Sequence, residues 1–172
     1  EACKNFARGL LDDPDLLDAS VDAAAKLGDT AGATSLAAKL ERAHRLRSLL
    51  ADLAGAAPQR SRAKQQLTKL TPQDRWHVYA RVVDNPRAYD QDVAVDAVRT
   101  LADDGNVPDM ALSSAIVDMR YHGNDQLVAS WKARVGAGDV ALVQRLLGLF
   151  EWTALWATDD DQLEPYIHAL YP

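Results

Sequence analysis

Apolar residues recur along most of this chain at intervals of three and four positions, which is the spacing of an amphipathic α-helix. Residues 36–53 show this most clearly, because leucine and alanine return on one side of a helix while charged residues fill the other side. Strict alternation of apolar and polar residues, which would indicate strands, is rare. The hydrophobic pattern therefore predicts an all-α protein.

Helix caps divide this pattern into segments. Asp13-Pro14 supplies a capping residue followed by proline at the first helical position, and Gly28 ends the same helix. Similar signals predict helices over residues 30–55, 72–85, 89–102, 108–121, 124–135 and 139–157, and a short last helix. The connections are short and the helix starts are unevenly spaced, which favours antiparallel neighbours and excludes a solenoid of fixed period.

We therefore predict an irregular multi-helix bundle of about eight helices, in which stacked helical hairpins are one arrangement. The 172 residues are 48% apolar and 26% charged, which fits one globular domain and excludes a disordered or fibrous chain. In this interpretation residues 1–172 form a single domain. A basic linker near residues 55–66 separates an N-terminal helical hairpin from the remaining helices.

The start of the chain and its most apolar segment give expectations for where the protein resides in the cell. Cys3 is the only cysteine, so no internal disulfide can form. The chain starts with Glu-Ala-Cys, and we interpret it as a trimmed or processed form that is soluble and either cytoplasmic or exported. We expect no membrane span, because Arg145 and Glu151 interrupt the most apolar segment, residues 139–157.

All four histidines stand within one helical turn of an acidic residue, an arrangement that can hold metal in a helical bundle. Glu41 precedes His44 by three residues, and Asp74 precedes His77 by three. Metal ligands in a bundle must point inward, but helical phase places Glu41 away from the apolar side of its helix. The same reasoning places Asp74 and His77 opposite the apolar side of theirs. We therefore favour a solvated surface of acid–base pairs and keep these four residues as candidate metal ligands of an alternative.

Familiar catalytic signatures do not occur in this sequence. It has no Gly-x-Ser-x-Gly, no glycine-rich phosphate loop and no Cys-x-x-Cys. We therefore predict no catalytic residue and no cofactor, and we do not expect an enzyme. Two alternatives stay open: a small helical enzyme or metal-binding protein that uses the His/carboxylate pairs, and a carrier that holds an apolar ligand near Trp152 and Trp156.

Charge is unevenly distributed along the chain. Residues 39–69 carry eight basic residues and two acidic ones, a net charge of +6 within a chain whose total is −6. Such a basic segment is typical of a surface that binds an acidic protein or nucleic acid. Because no recognition-helix motif occurs and the aromatic residues do not interleave with the arginines, we do not expect nucleic-acid binding. We predict that Arg42, Arg45 and Arg47 face an acidic surface, either the chain's own first helix or another molecule.

The helix predicted from Asp139 is apolar on nearly all sides. Helical phase predicts a core stripe on one side, formed by Val140, Val143, Leu147, Phe150 and Ala154. It predicts that Leu149, Trp152 and Trp156 lie on the other side, where the last helix of the chain or a protein partner covers them. We therefore predict a non-catalytic interaction module, such as an adaptor, a self-associating protein or an inhibitor of the immunity type. It would bind a protein partner or a second copy through this helix, the basic segment, or both.

Overall fold

A computed structural model describes residues 14–119 and 124–156 of the chain, and within these ranges it contains eight α-helices and no strand. The helices are α1 (Pro14–Lys26), α2 (Thr30–Leu53), α3 (Ala57–Leu67), α4 (Pro72–Asp84), α5 (Gln91–Ala102), α6 (Asp109–Met119), α7 (Asn124–Gly136) and α8 (Val140–Trp156). A short 3₁₀ turn, Pro86–Ala88, follows α4. The all-α multi-helix bundle predicted from the sequence is confirmed, whereas its predicted last helix lies outside the described residues.

Local capping interactions explain where these helices begin. The Asp29 side chain accepts a hydrogen bond from the backbone N of Gly32 at 2.9 Å and so caps α2. Asp139 does the same for α8, with 3.0 Å between its Oδ1 and the backbone N of Leu142. Gly28 has a φ of 74°, the left-handed conformation that lets the chain leave α1 and turn into α2. The helix boundaries therefore follow from interactions within a few residues of each end.

The described residues divide into two compact units, each with its own apolar core. The N-terminal unit is residues 14–78, in which α1 and α2 form a helical hairpin and α3 packs against α2. Its buried apolar side chains are Ala43, Leu46, Leu49, Leu53, Ala63, Leu67 and Val78. Most of the region predicted as a linker near residues 55–66 is helix α3, in which Ala63 and Leu67 are buried, and its role as a linker stays a prediction.

The C-terminal unit is described over residues 79–119 and 124–156, where α5, α6, α7 and α8 pack together. Its large, deeply buried side chains include Val82, Val98, Leu101, Leu112, Ile116, Leu127, Trp131, Leu142, Leu146 and Leu149. Helix α4 runs continuously through the boundary between the units, and a single domain stays a prediction. No helix of either unit, as far as the structure describes them, combines the length and apolar character that a membrane span requires.

The buried side of α8 differs from the one that helical phase predicted. Leu142, Leu146 and Leu149 are at most 2% exposed and pack toward α6 and α7. In contrast, Val140 is 66% exposed and Leu147 is 49% exposed, although both were predicted to lie in the core. The phase was wrong because apolar residues occupy nearly every direction around this helix, so periodicity alone cannot select the buried side. Packing against α6 and α7 selects it instead.

Neighbouring leucines of α8 test this orientation. We expect Leu146→Ala to lower the free energy of unfolding by about 3 kcal/mol, because it removes a fully buried side chain. Leu147→Ala should change it by less than about 1 kcal/mol, since that side chain is half exposed and alanine is a good helix former. Urea denaturation followed by circular dichroism measures both values. Equal losses, or a larger loss for Leu147→Ala, would contradict the observed phase.

Candidate interaction surfaces

Two arginines of the basic segment meet a single buried carboxylate. Asp74 lies in the first turn of α4, and its side chain accepts hydrogen bonds from Arg42 Nε and from Arg45 Nη2, the latter at 3.1 Å. The backbone N of Asp74 donates a hydrogen bond to Thr71 Oγ1 at 3.1 Å, so the Thr71 side chain caps the N-terminus of α4. Asp74 is only 6% exposed. We call these three charged residues the Asp74 cluster.

The ionisation of Asp74 reflects two opposing effects. Burial alone raises the pKa of this carboxyl group. The hydrogen bond from Arg42 and the positive charges of Arg42 and Arg45 outweigh that effect, so the pKa falls below its usual value of 3.8. Asp74 is therefore a buried carboxylate that the two arginines keep ionised at neutral pH.

This geometry corrects the prediction that Asp74 is solvated. The apolar pattern from Trp76 onward predicted which side of α4 is buried and left Asp74 on the opposite side. Val78, one turn beyond Asp74, is nevertheless fully buried. Asp74 therefore shares a buried side of α4 with Val78. Arg42 and Arg45 thus face an acid of their own chain, contributed by α4, and Arg47 is exposed on the same helix and makes contacts of its own.

The candidate metal ligands do not assemble into a ligand set. Glu41 and His44 are exposed on α2, and the His77 ring lies edge-on against Trp76 with 5.4 Å between ring centroids. Both carboxylate oxygens of Asp74 already accept hydrogen bonds from arginine. Over the described ranges, no three His, Cys, Asp or Glu side chains lie close enough together to hold a metal ion.

Among the described residues of the C-terminal unit, two of the three exposed large apolar side chains lie on the outward side of α8. Val140 and Leu147 are exposed two helical turns apart, and Val143 and Phe150 lie partly exposed beside them. We call these four residues the α8 seam. The prediction that Leu149 lies on a partner-binding side is wrong, because Leu149 is fully buried. The side chains of Trp152 and Trp156 lie outside the described residues.

Polar contacts hold α8 at this rotation. The Arg145 guanidinium pairs with Asp109 of α6 at 2.7 Å and also donates to the carbonyl of Val107. Ser113 Oγ, buried on α6, donates to the Leu149 carbonyl at 3.0 Å. Gly148 faces the Asp109 carboxylate, where a larger side chain would collide with it. These contacts could not be predicted from sequence patterns, because they join residues 36 and 38 positions apart in the chain.

A second ion cluster joins α7 to α8 and to the end of α5. Arg134 pairs with Asp139 at 2.6 Å and with Asp103 at 2.8 Å. The hydrogen bond from the Leu142 backbone and the one from Arg134 together lower the pKa of Asp139. Asp139 follows Arg134 by five positions across a glycine-containing turn, so this pair is local enough to be visible in the sequence. Asp139 therefore both caps α8 and fixes the turn before it.

Replacing Asp74 by asparagine tests the Asp74 cluster. We expect Asp74→Asn to lower the free energy of unfolding by about 1–3 kcal/mol at neutral pH, because it leaves the Arg42 guanidinium without its charged acceptor. A lowered folded-state pKa adds stability above the unfolded value, and this stability disappears as pH falls through the lowered pKa. The difference between wild type and Asp74→Asn should therefore shrink below about pH 4. Urea denaturation across this pH range measures it.

Glu41→Gln is the matched control, since Glu41 is an exposed acid on the same helix as Arg42. We expect it to change stability by less than about 0.5 kcal/mol at any of these pH values. A loss for Asp74→Asn that persists unchanged to about pH 3 would contradict the ionic origin of the effect.

The described geometry thus offers a buried ion cluster in one unit and an uncovered apolar seam in the other. The first fixes packing within its own unit, whereas the second presents apolar side chains that the described helices leave exposed. No protein-family model, curated protein or solved structure matches the chain, so its function must be inferred from these surfaces alone.

Proposed function

We propose that this chain is a non-catalytic helical interaction module that binds a protein through the α8 seam. The observation that carries the proposal is the exposure of Val140 and Leu147 on a helix whose opposite side is fully buried. A helix that is apolar on both sides either lies within a core or uses its second side for a partner. The described helices cover only one side of α8, which supports the second of these roles.

Exposed apolar side chains are otherwise sparse. Within the described ranges, the large apolar residues with high exposure are Leu27, Met110, Val140 and Leu147, and two of these four lie on one side of α8. Scattered apolar residues are normal at protein surfaces, whereas grouped ones indicate a binding surface. An amphipathic helix of a partner would suit this seam, because its side chains repeat at the same helical spacing.

The basic segment gives weaker support to a second binding surface. Arg42 is only 26% exposed at its side chain, and Asp74 engages both it and Arg45. These arginines therefore stabilise the N-terminal unit, which explains their presence without a partner. For the alternative role as a metal-binding protein, no set of three candidate ligands lies together among the described residues.

Capture of protein partners from the native host tests this proposal. A tagged full-length chain, cross-linked in cells and recovered by its tag, should carry a protein partner in near-stoichiometric amount, either another protein or a second copy. The double variant Val140→Gln, Leu147→Gln should recover roughly tenfold less, since polar side chains at the centre of an apolar contact cost about 1.4 kcal/mol or more.

Leu27→Gln serves as the control, because Leu27 is 85% exposed but lies in the N-terminal unit. It should recover as much partner as the wild type. Equal recovery by the double variant and the wild type, or no protein partner with either, would overturn the proposal.

A further inference from the structure

We propose that the α8 seam binds the seam of a second copy of this chain, as an antiparallel helix pair related by a twofold axis. This inference rests on the proposed function and identifies the partner. The seam residues stand at intervals of three, four and three, the a/d spacing at which two helices interlock their side chains. A self-complementary seam on one helix is what a twofold contact between identical chains requires.

The order of side-chain sizes favours the antiparallel direction. The seam has two small residues first, Val140 and Val143, and two large ones last, Leu147 and Phe150. An antiparallel pair centred on residue 145 brings Val140 opposite Phe150 of the second copy and Val143 opposite Leu147 of the second copy. Large side chains then meet small ones in every layer, whereas a parallel pair would set phenylalanine against phenylalanine and valine against valine.

The residues nearest the axis are also compatible with a twofold contact. A side chain on such an axis meets its own copy, so an exposed charge there would be repelled. Gln144 is exposed and neutral. Arg145 is charged, but its side chain is only 16% exposed and is paired with Asp109. The approach of two copies therefore brings no exposed like charges together at the centre.

The negative charge of the C-terminal region distinguishes this apolar contact from an ionic one, because the two contacts should respond to salt in opposite ways. Residues 79–172 contain 7 basic and 15 acidic residues, a net charge of −8, so two copies of this region repel each other. The seam itself is uncharged, and added salt should strengthen its pairing by screening that repulsion. Docking of the acidic region onto the basic segment 39–69 of another copy would show the opposite salt dependence.

The size of the contact sets its expected strength. One helix of 17 residues from each copy buries less than the roughly 1,200 Å² at which stable interfaces begin. We therefore expect a weak dimer, with a dissociation constant on the order of 10–100 μM.

Sedimentation velocity of the purified full chain, with no other protein present, tests the inference. Between about 5 and 500 μM the wild type should shift from monomer to dimer, and more dimer should form at about 0.5 M than at about 0.05 M salt. Val140→Gln with Leu147→Gln should raise the dissociation constant at least roughly tenfold, and Leu27→Gln should leave it unchanged. A monomer at every concentration, or a dimer that the double variant does not weaken, would overturn the inference.

Cross-linking with a short bismaleimide, in a Cys3→Ser background, tests the direction of the pair. Gln144→Cys lies beside the proposed axis and should give a covalent dimer. Val140→Cys should not, because the two copies of residue 140 lie about 15 Å apart along an antiparallel pair. Gln91→Cys, at an exposed position on α5, measures random cross-linking. Cross-linking at residue 140 but not at 144 would overturn the antiparallel arrangement.

These results separate the two proposals. If the purified chain stays monomeric while seam-dependent capture recovers a different protein, then the second copy is the wrong partner and the proposed function stands. If the seam variants change neither the recovery of a protein partner nor the dimerisation of the purified chain, both proposals fail.

Discussion

The arrangement of the C-terminal unit depends on the burial of three leucines on one side of α8. Complete burial of a leucine side chain contributes about 1.5–3 kcal/mol, so Leu142, Leu146 and Leu149 together fix the helix against α6 and α7. The hydrogen bond from Ser113 and the ion pair of Arg145 add smaller terms that hold the helix at one rotation. Because that rotation is fixed, Val140 and Leu147 face outward, with Val143 and Phe150 partly exposed beside them. The exposed seam is thus a consequence of how the core is packed.

A buried charge has the corresponding role in the N-terminal unit. Removal of the Asp74 carboxylate from water is unfavourable unless cations compensate it, and α2 supplies two arginines for that purpose. The presence of Arg42 and Arg45 on α2 therefore has an internal explanation, because both stabilise the buried Asp74 carboxylate. This distinction matters for function, because an arginine that stabilises its own unit is weak evidence for a binding site.

The sequence predicted the helices well but the buried side of α8 poorly, for one physical reason. Caps such as Asp29 and turn glycines such as Gly28 act within a few residues, so their effect is visible in the sequence. The buried side of a helix depends instead on contacts with distant residues. Arg42 and Asp74 are 32 residues apart, and Ser113 and Leu149 are 36 apart. Helix α8, apolar in most directions, is therefore the element whose phase was wrong. On α4, Tyr79, Val82 and Val83 are buried as predicted, whereas the burial of Asp74 was missed.

Residue-resolved footprinting of aliphatic side chains with a photoactivated diazirine would test the central claim most directly. Applied to dilute protein, where a weak dimer dissociates, it reports which side of α8 meets solvent. The structure predicts strong labelling of Val140 and Leu147 and little labelling of Leu142, Leu146 and Leu149. Strong labelling of the three leucines, with protection of Val140 and Leu147, would show that the helix is rotated and would remove the basis for the seam.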